Sequence, residues 1–273
     1  MTTNKNFLNK DIVPTVFAER GGNSEKIFQE RLRQVLISLG LKEIESSFVT
    51  NEFCSFDVLT FPQYSLLRTK KNILYFEEGK TKQINDDLFE DIKLVHKERF
   101  GYNLDRYTSE KTMLLSHTTE TIMESLIKFG PDEVFVISKT FRSKPEKAEK
   151  TQVDICLRDR TLPEVIAFVE NLYEILLNKK VKICLTSDFY FFCEPSFSFE
   201  ISLEGSGKKF LLGSGGFMRE ECLNLINKNH FKEKAKNIIF IGFPYQKILN
   251  MLLGEEYNNW NIDYNNTVLK SCQ

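Results

Sequence analysis

Residues Val134–Leu157 read VFVISKTFRSKPEKAEKTQVDICL, and this stretch decides the fold. Two apolar runs, Val134–Phe141 and Gln152–Leu157, are rich in β-branched and aromatic side chains and read as strands. Between them stand one arginine, Arg142, and a loop dense in charge. So short a connection makes the pair antiparallel, because a parallel pair needs a long crossover. A loop that only faces solvent does not need an arginine where a buried strand ends, but an anion held between two strands does.

Working outward, the chain shows helices before this pair and mixed elements after it. Asn23–Gly40 forms one apolar face through Phe28, Leu32, Val35, Leu36 and Leu39, with Asn23 or Ser24 as cap and Gly40 as stop. Asp86–Gly101 and His117–Pro131 read as two further helices, the second broken by Gly130–Pro131. After Leu157, an amphipathic helix spans Leu162–Lys180 with Pro163 in its first turn. Strand-like runs follow at Val181–Ser187, Phe189–Glu194, Phe197–Glu204 and Lys208–Gly213. The glycine-rich Gly213–Phe217 reads as a flexible turn leading to a helix near Glu220–Asn227. Asn237–Phe243 is a last strand, Pro244–Gly254 a last helix, and residues 255–273 a polar tail. Strands in runs with flanking helices predict one α+β domain on a mainly antiparallel sheet, spanning residues 1–273 with its core near 24–254.

Composition narrows the function. With 273 residues, 41% of them hydrophobic, the chain can bury a sizeable core. Its 37 basic and 38 acidic side chains leave a net charge of -1, so no overall positive field draws in nucleic acid. No apolar run approaches the length of a membrane span, and the N-terminal residues lack a signal peptide's apolar core. Six scattered cysteines without a C-x-x-C pair suit reduced thiols in the cytoplasm. Three histidines, His96, His117 and His230, lack metal-ligand spacing, so no metal site is expected. A phosphate loop of the G-x-x-x-x-G-K-[ST] type is absent.

Four stretches, in order, resemble the catalytic core of a class II aminoacyl-tRNA synthetase, most closely the α subunit of phenylalanyl-tRNA synthetase in its archaeal and eukaryotic form. LGLKEIESSFVTNEFCSFDVLTFPQ is similar to motif 1 running into the family's "FDAL..P", with Ser47 where a proline is expected. LLSHTTETI is similar to "LRTHTT". VFVISKTFRSK is similar to motif 2, and FYFFCEPSFSFEI with LGSGGFMREE to "FPYTEPS" and "GGAGIFRPE". The resemblance implies ATP and Mg²⁺ as cofactors, with Arg142 as the catalytic grip on the α-phosphate and Glu146, Lys150 and Lys247 beside the nucleotide. It implies an amino-acid pocket from His117, Thr118, Gln152, Tyr190, Phe192, Glu194, Gly213, Gly215 and Gly216. The last three would keep space for a flat ring, and Glu194 would meet the substrate amine or an adjacent water.

The departures fall on the adenine side. Lys150 stands where the family has an aromatic, and motif 3, G-x-G-x-E-R, reads GFPYQK, so Gln246 and Lys247 replace glutamate and arginine. Lysine lacks the planar stacking surface and bidentate fork of arginine. Stacking and cation–π contacts are each worth about 0.5–2 kcal/mol. The motif 2 loop is shorter than the family's and lacks its histidine.

The implied activity is ATP-dependent activation of an aromatic or bulky amino acid for transfer to tRNA or another acceptor, from a homodimer or with a partner subunit. The alternative is a non-catalytic paralogue that binds an amino acid as a sensor or partner subunit; a third is a binding module for a synthetase or tRNA. On the residues alone, Arg142 is open to a surface ion pair, His117 to a cap or core role, and the glycines to plain turns.

Overall fold

The computed structural model describes residues 24–77, 83–144, 149–203, 209–230 and 232–253. In chain order the first elements are α1 Ser24–Ser38, β1 Lys42–Glu43, β2 Val49–Asn51, a π-helical turn Phe53–Asp57 and a 3-10 turn Leu66–Arg68. Next come α2 Asp86–Phe100, α3 Arg106–Ser109, β3 Thr112–Leu114, α4 Thr119–Phe129, β4 Val134–Phe141 and β5 Glu149–Arg158. The remainder is α5 Leu162–Leu177, β6 Val181–Tyr190, β7 Cys193–Leu203, β8 Lys209–Met218, α6 Glu220–Asn229, β9 Ile238–Phe243 and α7 Tyr245–Leu253.

Among the described residues, seven strands form one sheet in the order β1-β4-β5-β9-β8-β7-β6. Only β1 and β4 run parallel; every other neighbouring pair is antiparallel. This is the α+β architecture that the hairpin of β4 and β5 predicts. A separate ribbon pairs β2 with β3.

Side-chain alternation along β5 gives the sheet two different faces. Val153, Ile155 and Leu157 pack with Phe28 and Leu36 of α1, Val169 and Tyr173 of α5, and Ile248 of α7. Cys156 faces the other way with Val134, Val136 and Phe240, under Ile122 and Met123 of α4 and Leu225 of α6. Each such fully buried side chain contributes roughly 1.5–3 kcal/mol.

Local signals close the helices as expected. Gly40 and Gly101 take φ of 97° and 77°, a left-handed geometry that stops α1 and α2. At α5, the Glu164 carboxylate accepts from the Thr161 backbone N–H and hydroxyl, both at 2.7 Å. The helix ends at Leu177, before the expected Lys180, because Asn178 turns to φ 55°.

Three expectations are corrected. Gly213–Phe217 is no flexible turn but the middle of β8, paired on both sides. A Cβ on Gly215 would collide with the Phe240 carbonyl oxygen, so glycine here admits a close neighbouring strand. Phe189–Glu194 is not one strand: β6 ends at Tyr190, Phe191 and Phe192 turn, and β7 begins at Cys193. Finally, β5 starts at Glu149, so Lys150 lies within a strand, opposite Thr140. The cap at Asn23 and the tail at 255–273 lie outside the described residues.

Candidate active site

The segment between β3 and α4 brings the polar groups together. The Leu115 carbonyl accepts from Phe141 N–H at 2.7 Å, and the Ser116 carbonyl accepts from Arg142 Nε at 3.2 Å. These bonds fix Arg142, at the end of β4, beside His117. Both ring nitrogens of His117 are buried; the Ser55 backbone lies close enough to act on the ring, but neither nitrogen meets a partner at full hydrogen-bonding geometry. Burial, then the neighbouring Arg142 charge, push its pKa down to about 3, so the imidazole is neutral. A buried polar group left without a partner is unfavourable by about 1–3 kcal/mol, which a polar ligand would relieve.

The next two residues reach a buried carboxylate. Asp154 on β5 is 2% exposed. It accepts from Thr119 Oγ1 at 2.7 Å and from Gln152 Nε2 at 3.1 and 3.3 Å. Burial raises its pKa despite those two bonds. Thr118 lies near the same carboxylate, but its buried hydroxyl meets no partner at hydrogen-bonding geometry. Arg142, His117, Thr118, Gln152 and Asp154 therefore form one corner, with a cation and a buried acid on opposite sides.

An aromatic wall joins this corner to the β6–β7 turn. The Phe61 ring centroid lies 6.5 Å from His117 and 6.1 Å from Phe192, and Phe192 lies 6.0 Å from Tyr190. The Tyr190 hydroxyl donates to Ser214 Oγ on β8. The wall thus links His117 through Phe61 and Phe192 to Tyr190. Gly213 and Gly215 lie on β8 at positions that alternate with Ser214 and turn toward Phe243 and Ile241 of the other layer, and the Gly242, Phe240 and Pro195 oxygens stand nearest the missing side chains of Gly213, Gly215 and Gly216.

Glu194 stands differently. Its side chain is 65% exposed and pairs with Arg219 Nη1. Arg99 lies in the same rim network, 3.5 Å from Glu221 and donating to Thr60 Oγ1 at 2.6 Å. The carboxylate buried in the corner itself is Asp154, which the sequence analysis does not single out. Its signal was an acid inside the apolar run VDICL, where an unpaired charge is rare. Thr119, Phe61 and Ser214 were missed with it.

The adenine side is sparse. Lys150 is exposed, with its backbone oxygen accepting from Thr140 Oγ1 at 3.2 Å. Lys247 is half-buried in the first turn of α7, and burial lowers its pKa. Gln246 turns to solvent and donates to Asn250 Oδ1 at 2.9 Å. Glu146 lies outside the described residues.

Behind His117 sits a buried ionic cluster. Arg68 Nη1 reaches Glu52 Oε2 at 2.8 Å and Asp57 Oδ1 at 2.7 Å, and none of the three side chains exceeds 3% exposure. Burial raises the Asp57 pKa to about 6, although Arg68 and Ser109 oppose the shift. The guanidinium lies 5.0 Å over the Phe56 ring, which also meets His117 at 5.5 Å and Phe61 at 5.8 Å. Desolvation takes the adjoining His96 down to about 4.

Comparison with known proteins bears on the family and the fold. Residues 12–251 match the family described as tRNA synthetases class II core domain (F). The phenylalanine–tRNA ligase alpha subunit of Methanococcus maripaludis is 29% identical over 233 residues, covering 76% of this chain and 46% of that protein. Its counterpart in Saccharolobus solfataricus is 29% identical over 209 residues, covering 73% and 43%. The chain thus spans about half the length of these relatives. Among solved structures, the pyrrolysyl tRNA synthetase PylSc of Desulfitobacterium hafniense superposes with a TM-score of 0.54 at 12% identity, over 90% of this chain and 74% of that one. That likeness concerns the fold.

Proposed function

From the premise that the chain belongs to the family of class II tRNA synthetase core domains, we propose that it activates an aromatic or bulky amino acid with ATP. One observation carries the reading: His117, a buried neutral imidazole with only the Ser55 backbone near its nitrogens, sits beside Arg142 in the corner that also holds Asp154. Asp154, with Thr119 and Gln152 around it, receives the substrate ammonium. Arg142 and the neutral His117 face the carboxylate and the α-phosphate. The carboxylate oxygen attacks the α-phosphorus, a C–O–P bond forms, the P–O–P bond breaks, and pyrophosphate leaves. Positioning and charge stabilisation supply the rate, with no protein nucleophile.

Among the described residues no three His, Cys, Asp or Glu side chains converge on one point. Mg²⁺ would arrive with the triphosphate, whose oxygens suit it as ligands. The acceptor is tRNA or another molecule, and the relatives' designation as alpha subunits supports a partner subunit. Cys54, Cys156, Cys184, Cys193 and Cys222 are all free thiols, which suits the cytoplasm. Among the described residues no helix is long and apolar enough to cross a membrane.

A second reading, an amino-acid-binding paralogue without catalysis, is favoured by Lys150 and Lys247 on the adenine side, where neither offers a stacking plane. Amino-acid-dependent ATP–pyrophosphate exchange separates the two. Exchange with one amino acid, lost in Arg142→Ala, supports activation. Calorimetric binding of an amino acid without any exchange supports the second reading.

A further inference from the structure

The row of paired residues crossing the sheet through Asp154 describes the far end of the ligand. Asp154 pairs with Gly242, Gly242 with Ser214, and Ser214 with Ser198. Directly paired residues share a face of the sheet, so all four look toward the site. At about 4.8 Å per strand, Ser214 lies about 9.6 Å across the sheet from Asp154. Gly242, between them, leaves the path over β9 open, and a Cβ there would sit 3.0 Å from Asp154 Oδ1.

What stands at the end of that path is polar. The Tyr190 hydroxyl donates to Ser214 Oγ, while its ring continues the aromatic wall through Phe192. A serine hydroxyl donates one bond and accepts two, so Tyr190 leaves Ser214 one acceptor site and its proton. A slot for a plain hydrocarbon ring gains nothing from hydroxyls at its end, because covering them without a hydrogen bond is unfavourable.

We propose that the amino acid taken by this site carries a hydroxyl at the end of an aromatic ring, received by Ser214 and Tyr190 while Asp154 holds the ammonium. The proposal rests on the amino-acid-binding reading of the site and adds the chemistry of the side chain. Calorimetry on the full chain with L-tyrosine and L-phenylalanine tests it, beside exchange assays with both. L-Tyrosine is expected to bind about tenfold or more tightly, since a site built to bond a hydroxyl rejects the analogue lacking it. Ser214→Ala, and separately Tyr190→Phe, are expected to weaken L-tyrosine and leave L-phenylalanine unchanged or tighter.

Equal or tighter binding of L-phenylalanine by the wild type overturns the proposal, as does a preference that neither substitution reduces. Exchange with L-phenylalanine or another amino acid but not L-tyrosine overturns it while leaving activation standing. Binding of neither amino acid also overturns it, and the wider exchange panel then judges activation separately.

Discussion

The two sides of β5 differ in what they bury. Val153, Ile155 and Leu157 enter a hydrocarbon layer shared with α1, α5 and α7. Gln152 and Asp154, on the alternate positions, face a layer where His117, Thr118 and Asp154 place polar atoms out of water. The first face gains stability from each apolar group it removes from solvent. The second gives some of that up, because a carboxylate and an imidazole are buried without full compensation. Both faces bury apolar cores, but only the second also buries polar groups of the kind the proposed ligand site uses.

Substitutions on the two faces should separate accordingly. The largest stability loss is expected from Phe199→Ala in the hydrocarbon layer and from Arg68→Ala in the ionic cluster, each about 3–5 kcal/mol in denaturant unfolding. The causes differ: Phe199 leaves a cavity, whereas Arg68 leaves Glu52 and Asp57 buried without their cation. Asp154→Asn should do the reverse of Phe199→Ala. It removes a buried charge, so stability stays level or rises, while calorimetric affinity for the amino acid falls about a hundredfold or more. If Asp154→Asn lowers stability as much as Phe199→Ala and leaves binding intact, the division between the faces fails.

Proton linkage offers a finer test. His117 and His96 have folded pKa values of about 3 and 4, against 6.5 unfolded. The unfolded chain therefore binds more protons, and their contribution is complete above pH 6.5 and lost as pH falls below it. Asp57, at about 6 against 3.8, acts in the opposite sense, so its contribution is lost as pH rises through 6. Between pH 4 and 6 Asp57 and His96 largely offset each other, leaving His117. His117→Asn is then expected to make unfolding free energy less steep in pH by up to about 1.4 kcal/mol per unit. Asp57→Asn is expected to make it steeper; parallel profiles for wild type and both variants would contradict these assignments. The smallest effect, about 1 kcal/mol, is expected from Thr161→Ala at the cap of α5.

Much of this was legible in the sequence because its cause is local. Gly40 and Gly101 stop helices by their own backbone freedom, and Arg142 follows an apolar run as a strand-end arginine does. The rest depended on distant residues. Asp154 looked like part of a strand, because only the fold brings Thr119 to it. The glycines of β8 looked like a turn, because sequence does not show that the Phe240 and Pro195 oxygens fill their side-chain space. Glu194 read as a ligand-facing acid until Arg219 was placed beside it. Phe61 gave no local sign that it would link His117 to Phe192.

The most direct measurement of the central claim is ATP–pyrophosphate exchange by the full chain across a panel of amino acids, with Arg142→Ala in parallel. Exchange with an aromatic amino acid is expected, with a loss of about a hundredfold or more in the variant, the scale of a removed charge-stabilising donor. Silence with every amino acid, or exchange undiminished in Arg142→Ala, would contradict it.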